Sequence, residues 1–214
     1  MIQNNQYRNN YIAFINEIIN KSYAEKVPQE TLKTDPAKAW YIPHHGMYHP
    51  KKPEKIRVVF NCSAKFAGMS LNDQLLQGPD LTNSLVSVLT CFRQEPEALM
   101  GNVEAMFYQV VVPIEQRDFL RFLWWPNGEL NAQLVEYRMT VHSFGAVPSP
   151  RCSNYALRKT ADDNEEEHGS AVASTMRRNF YVDECLRSVS TETKAKEQIE
   201  GLRQACAKGG FRLT

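Results

Sequence analysis

The chain has 214 residues, of which 43% are hydrophobic and 23% charged, and its formal net charge is +1. These values are ordinary for a globular protein with a sizeable core, and the near-neutral total does not by itself indicate a polyanionic partner. No apolar run is long enough to span a membrane, and the polar start MIQNNQYRNN lacks the apolar region of a secretory signal. We therefore expect an intracellular protein, cytoplasmic or nuclear, with no membrane partner.

The first half of the chain predicts two helices separated by extended segments. Apolar residues at helical spacing between 7 and 26 predict an amphipathic helix that ends before Pro28. The proline-rich segment 40–53 predicts extended chain and turns, and KIRVVFNC at 55–62 predicts a strand. A loop is expected in 68–78. Residues 79–93 then predict a second helix, capped by Asp80 or Thr82.

The second half mixes strands and helices in an order typical of an α+β protein. The predicted elements are strands in 99–112, 119–125 and 133–140, a helix in 149–160, a hairpin in 180–189, a helix in 191–208 and a strand that begins at 211. Asn127-Gly128 is a hairpin turn signal, and Gly209-Gly210 ends the last helix. The acidic run 162–167 is expected to be a surface loop or a helix end.

The pattern of cysteines indicates which cross-links and metal sites to exclude. The five cysteines are odd in number, widely spaced and never arranged as a CxxC pair. This pattern argues against a disulfide framework or a zinc site and favours packed, reduced thiols.

Positive charge is concentrated in one segment. The segment His44–Arg57 holds three lysines and Arg57 against the single acid Glu54. Such a segment can contact phosphates, although charge alone favours a solvated basic loop.

Asp183 and Glu184 form the pair with the clearest chemical meaning. They follow the aromatic and apolar run Phe180-Tyr181-Val182, so a tight hairpin is needed to bring both carboxylates to one edge of a sheet. Adjacent carboxylates are costly to desolvate unless cations neutralise them, and Mg²⁺ prefers hard oxygen ligands together with substrate phosphates. An acidic pair at a turn is also common on protein surfaces, so the pair alone does not establish a metal site.

Three further segments carry residues that could contribute to a site. Lys55 and Arg57 begin a strand, and the planar guanidinium of Arg57 suits phosphate oxygens. The segment 143–150 (SFGAVPSP) contains Gly145, which permits close backbone approach to a ligand. The segment Asn102–Gln109 places a polar residue after an apolar stretch. Each segment also has a purely structural explanation as a solvated strand, a turn with a helix cap, or an amphipathic junction.

Taken in chain order, several motifs resemble the reverse transcriptase of BEL/Pao-type LTR retrotransposons. They are WYIPHHG at 40–46, KIRVVF at 55–60, SLND at 70–73, GPDL at 78–81, FLRFLWW at 119–125 and FYVD at 180–183. The resemblance implies an α+β right-hand polymerase with an antiparallel palm sheet backed by helices. Residues 1–98 would form a fingers-like segment with the first palm-proximal helix. Residues 99–214 would form the palm with its catalytic hairpin, within one continuous domain.

The resemblance also implies a chemistry and a set of metal ligands. The family performs RNA-directed DNA synthesis with two Mg²⁺ ions, for which Mn²⁺ can substitute, on deoxynucleoside triphosphates and an RNA or DNA template-primer. By motif, Asp183 is the hairpin metal ligand and Glu184 the adjacent acid. Asn102 stands at the position of the metal ligand in the first palm strand.

Five further residues are implied to bind the nucleotide. Lys55 and Arg57 match the family's triphosphate-binding segment. Phe107 occupies the steric-gate position, where a bulky ring rejects a ribose 2′-hydroxyl. Phe144 and Gly145 match the motif that shapes the nucleotide and template site.

The sequence departs from the family where the metals would bind. Asn102 offers a neutral oxygen in place of a carboxylate that bridges both ions, and this loss could raise the barrier by a few kcal/mol. Glu184 keeps the charge of the usual aspartate, and Asn61 replaces an aspartate expected after Val-Val-Phe. Glu104 is an acid normal for the family, so we do not expect it to replace the lost ligand. An impaired polymerase is therefore expected.

The resemblance sets the end of the chain before the family's lysine strand, primer grip and thumb. A missing thumb is thus expected, as is membership of a longer polyprotein in the parent element. Two alternatives stay open from the sequence. One is a non-catalytic nucleic-acid-binding relic or host-adopted protein, and the other is a decayed fragment without a selected function.

Overall fold

The computed structural model describes residues 5–32, 38–49 and 52–214. Helices and antiparallel strands are mixed along this part of the chain, which confirms the α+β class. In chain order the elements are α1 (Asn5–Asn20), β1 (Ala24–Lys26), α2 (Gln29–Leu32), β2 (His44–His49), β3 (Lys52–Phe60), α3 (Leu71–Gln74), α4 (Leu85–Phe92), β4 (Glu97–Asn102), β5 (Arg121–Trp124), β6 (Val135–Met139), α5 (Ser149–Asp163), α6 (Glu165–His168), α7 (Ser170–Arg178), β7 (Phe180–Tyr181), β8 (Glu184–Val189) and α8 (Glu192–Lys208).

The chain forms two compact units, each assembled from two separate segments. Unit 1 contains Met1–Leu76 and Val111–Ser149, and unit 2 contains Gln77–Val110 and Pro150–Thr214. The units therefore interleave along the sequence. The expected fingers-like segment 1–98 and palm segment 99–214 are sequential, and their assignment stays a prediction.

Helix α1 and the β2–β3 pair build part of the core of unit 1. The helix buries Tyr11, Ile15 and Ile18, whose spacing puts them on one helical face. It packs on β3, where Ile56, Val58 and Phe60 are buried as alternate residues of one strand face. Packing is close at Gly46 in β2, since a Cβ there would lie 2.6 Å from Ile56 Cδ1 and 2.7 Å from Tyr7 Oη, and these side-chain ends would have to move.

The second sheet of unit 1, in the order β1-β6-β5, contains two buried arginines that face each other. Arg121 and Arg138 are register partners, only 2% and 3% exposed. Like charges in this arrangement destabilise a sheet unless acids neutralise them. The Asp118 carboxylate accepts from Arg121 Nε and Arg138 Nη1, each at 3.0 Å. Glu136 accepts from Arg121 at 3.1 Å and Glu25 from Arg138 at 2.8 Å.

Unit 2 is built on an antiparallel sheet in the order β4-β8-β7. Helix α8 packs against β4 and β8, and α7 packs against β7. The core combines buried residues of the sheet region with residues of α5, α7, α8 and the chain after α8; they include Val103, Leu157, Met176, Phe180, Cys185, Leu202, Cys206 and Phe211. The sheet of unit 2 is therefore antiparallel and packs against helices.

Tertiary pairing corrects the first predicted helix. Helix α1 ends at Asn20 rather than at 26, and Ser22 takes a left-handed φ of 59°. Residues Ala24–Lys26 instead form β1, because their backbone pairs with β6. The proline-rich segment 40–53 contains a regular strand, β2, paired with β3. Lys51 of the basic segment lies outside the described residues.

The next three predicted elements also differ in the structure, two of them because of local capping. The predicted helix 79–93 is shortened to α4 and is capped by Ser84, not by Asp80 or Thr82. Asp80 accepts a hydrogen bond from Thr82 N at 3.0 Å, which forms a turn before the helix. The expected loop 68–78 contains the single-turn helix α3, which a capping box between Ser70 and Asp73 stabilises. The predicted strand 99–112 is interrupted after Asn102 by a 3₁₀ turn at Met106–Gln109.

Burial follows the expectations for cysteines. The described cysteines carry free thiols, and Cys62, Cys185 and Cys206 are buried. Burial raises the pKa of the Cys62 thiol to about 11 and the pKa values of Cys185 and Cys206 to about 12.

In the described part of the chain, no helix has the length and apolarity needed to cross a membrane.

Replacing Asp118 with asparagine should destabilise the protein by about 3 kcal/mol at neutral pH, because two buried arginines would lose a shared counter-charge. Burial opposes ionisation of Asp118, but its hydrogen bonds and ion pairs with Arg121 and Arg138 outweigh this effect and lower its pKa. Its stabilising contribution is therefore present above the unfolded pKa and is lost as pH falls through the lower folded value. Urea unfolding of the wild type and Asp118→Asn at several pH values should show a difference that shrinks in acid.

The matched control is Asp162→Asn, which removes a more exposed partner of Arg177. This variant should change stability little, because exposed ion pairs contribute little. Equal losses for the two variants would contradict the role of Asp118 between the arginines.

Candidate functional site

The pairing of β4 with β8 brings Asn102 opposite Glu184. The two are register partners at the end of β4 and the start of β8. Asn102 exchanges both of its backbone hydrogen bonds with Thr214, N to O and O to N, each at 2.9 Å. Toward β8 it therefore occupies a non-hydrogen-bonded position, where facing side chains lie closest. Both residues are exposed and lie on the same face of the sheet.

Asp183 joins this end of the sheet through a tight turn. Val182 and Asp183 connect the register partners Tyr181 and Glu184, and Val103 N donates to Asp183 O at 2.8 Å. Val182 has a φ of 56°, a left-handed conformation that is unusual for a β-branched residue. Backbone strain of this kind concentrates at functional sites. The structure thus brings the backbones of Asn102, Asp183 and Glu184 together.

The donor set at this end of the sheet consists of two carboxylates and one neutral amide oxygen. These are oxygen ligands of the kind that Mg²⁺ prefers. Among the described residues, no group of three or more His, Cys, Asp or Glu side chains could hold a metal ion. The side chain of Glu104 instead pairs with Arg212, at 3.0 Å between Oε2 and Nη1. These oxygens are of the type that a hard cation takes, but the described residues here supply two carboxylates and no third one.

Phe107 is largely enclosed by the core of unit 2. Ala105 takes a left-handed φ of 49° and starts the 3₁₀ turn Met106–Gln109. This turn directs both Met106 and Phe107 into the core, where Phe107 keeps only 7% of its surface exposed. Only a small part of its ring is therefore accessible to a ligand.

Lys55 and Arg57 lie on the outer face of β3 in unit 1. Both are exposed, and they alternate with the buried Ile56 and Val58. The register partner of Arg57 is Met47 on β2, which is also exposed. The described part of the basic segment therefore forms a strand pair rather than a solvated loop, with two cations on one surface.

Phe144 and Gly145 occupy a turn that packs against the end of β3. Gly145 has a φ of 114°, and a Cβ at this position would lie 2.4 Å from Phe60 O. The glycine was expected to allow a ligand to approach, but in unit 1 it also allows the turn to contact the chain's own backbone. Phe144 is about half exposed beside it.

Asn72 is a residue whose role sequence reasoning missed. It lies in the SLND motif, and its side chain hydrogen-bonds to Gly145 O and Val147 N. The available signal was the capping box of Ser70 and Asp73, which predicts a helical turn that would fix the direction of Asn72.

Comparison with known proteins identifies the fold. The chain matches no protein-family model and no curated protein at a significant level. It is similar to the solved structure of a foamy viral protease–reverse transcriptase, dRH, in complex with double-stranded DNA. The TM-score is 0.72 at 12% sequence identity, and the match covers 99% of this chain and 31% of that one. The fold is therefore reverse transcriptase-like, and the chain spans about a third of the length of its structural neighbour.

Replacing Gly145 with alanine should destabilise the protein by more than about 2 kcal/mol, because a Cβ collides with Phe60 O and φ is unfavourable. Gly68 offers a matched control, since its φ is 85° but a Cβ there would meet nothing within 4 Å. Gly68→Ala should therefore cost only about 1 kcal/mol. Thermal unfolding of the two variants measures the difference, and equal melting temperatures would contradict the close contact at Gly145.

Proposed function

We propose that this chain is the RNA-directed DNA polymerase domain of a BEL/Pao-type retroelement and that Asn102 impairs its activity. The observation that carries the proposal is the position of Asn102 opposite Glu184, with Asp183 in the adjoining turn. The reverse transcriptase-like fold supports this reading of the hairpin. The assignment of fingers and palm, the cytoplasmic or nuclear location and an origin in a longer polyprotein belong to the same proposal.

The proposed reaction is nucleotidyl transfer, in which a primer 3′-hydroxyl attacks the α-phosphorus of a deoxynucleoside triphosphate and pyrophosphate leaves. Mg²⁺, or Mn²⁺ in its place, supplies electrostatic stabilisation of the attacking and leaving oxygens when bound. Asp183 and Glu184 would provide the negative charge that holds such a cation. Asn102 would contribute a neutral oxygen and no charge, so two cations would be held less well than with a third carboxylate.

By motif, five further residues, four in unit 1 and one in unit 2, are proposed to act on the nucleotide. Lys55 and Arg57 supply two exposed cations on one strand face for the triphosphate. Phe107 restricts the space beside the sugar, while Phe144 and Gly145 shape the surface for the base. The proposed macromolecular partner is an RNA or DNA template-primer. The structural neighbour was solved with double-stranded DNA, which supports this class of partner.

Replacing Asn102 with aspartate should raise the rate of primer extension by about a hundredfold or more, because about 3 kcal/mol of transition-state stabilisation is restored. The assay uses a labelled primer on an RNA template, with Mg²⁺ and Mn²⁺ in separate reactions. Adding Asp183→Asn to the Asn102→Asp chain should abolish the gain, because a second ligand is neutralised.

The matched control is Gln94→Glu, which converts an exposed amide to a carboxylate elsewhere in unit 2 and should leave the rate unchanged. Absence of template-directed extension by the Asn102→Asp chain, despite a cooperative thermal melt, would overturn the proposed activity. Salt-dependent binding to the template-primer in that case would indicate a non-catalytic nucleic-acid-binding protein.

A further inference from the structure

The carboxamide of Asn72 joins two segments of unit 1. Its Nδ2 donates to Gly145 O and to Ser63 Oγ, each at 2.9 Å. Its Oδ1 accepts from Val147 N at 3.0 Å. One side chain thus satisfies a carbonyl and an amide of the turn 143–147 and also holds the chain that follows β3.

The backbone of Asn72 is itself fixed. It lies in helix α3, whose first turn is closed by the reciprocal hydrogen bonds of Ser70 and Asp73. The backbone N–H of Asn72 donates to Cys62 O at 3.0 Å. The carboxamide therefore projects from a rigid support toward the turn, which limits the entropy lost in forming its hydrogen bonds.

The contacts require both a donor and an acceptor at position 72. An asparagine side chain has an NH₂ group for Gly145 O and a carbonyl for Val147 N. Aspartate could accept from Val147 N, but it would place a charged oxygen against Gly145 O. Because Gly145 already packs on Phe60 O, a lost hydrogen bond would let the turn shift away from β3.

We infer that Asn72 is a positioning residue that fixes Phe144 and Gly145 for nucleotide binding. This inference rests on the proposed function, which gives Phe144 and Gly145 their role with the nucleotide. Asn72 acts through the turn 143–147, and its removal weakens the fit of the incoming nucleotide while leaving the acids of the hairpin unchanged.

The experiment adds Asn72→Asp to the Asn102→Asp chain and measures primer extension against deoxynucleoside triphosphate concentration. KM should rise about tenfold with little change in kcat, because a shifted turn weakens nucleotide binding before the chemical step. Asn164→Asp is the matched control, since it makes the same substitution in unit 2, where the side-chain amide also donates to a backbone carbonyl, Thr160 O at 2.8 Å. It should lower the melting temperature and leave KM unchanged.

Amide NMR spectra of the same variants without nucleotide give a second readout. The signals of Gly145 and Val147 should move in Asn72→Asp and stay in place in Asn164→Asp. Equal effects of the two variants on KM, or unmoved amide signals in Asn72→Asp, would overturn the inference. Failure of the Asn102→Asp parent to extend primers overturns the nucleotide role together with the proposed function, whereas activity with an unchanged KM overturns the role of Asn72 alone.

Discussion

The antiparallel pairing of β4 with β8 is the constraint on which the candidate site depends. It runs from Glu97 opposite Val189 to Asn102 opposite Glu184 without a break in register. A slip of one residue would turn the buried Leu99 toward solvent and move Asn102 to the opposite face. Burial of one face of this sheet therefore fixes which polar residues meet on the other. The pairing of Asn102 with Glu184 is thus set by the packing of the sheet.

Unit 1 uses polar side chains in a similar way. Arg121 and Arg138 would repel each other across β5 and β6. The carboxylate of Asp118 accepts hydrogen bonds from both arginines, which offsets the repulsion and joins the segment before β5 to both strands. Asn72 links the turn of Gly145 to the chain after β3 with neutral hydrogen bonds. In both cases a polar group that would be costly to leave unpaired determines where a loop or strand lies. Apolar packing alone is less directional.

Local patterns in the sequence predicted most elements, and tertiary contacts explain where those predictions failed. Helix α8 follows from its apolar spacing and its Thr191 cap, both of which are local signals. The local sequence predicts a helix over residues 24–26 because it carries no signal of their pairing with the distant strand β6. The acid pair Asp183-Glu184 was visible as adjacent residues, and the position of Asn102 was expected only through resemblance to a family. Asn102 faces Glu184 because of the register between β4 and β8. The contact of Gly145 with Phe60 joins segments that are far apart in the sequence. Sequence spacing therefore predicts neither contact.

The interleaving of the two units also orders events during synthesis. Glu25 on β1 and its partner Arg138 on β6 are 113 residues apart, so β1 leaves the ribosome long before its neighbour. At a synthesis rate of roughly 5–20 residues per second this delay is about 6–23 s. Strand β4 likewise emerges before β8 exists. Both units therefore expose unpaired strand edges at the same time, and such edges are templates for association with other chains. In a chain with this connectivity, unit 1 is complete only when residue 149 has been synthesised, so its early strands stay open to such association until then.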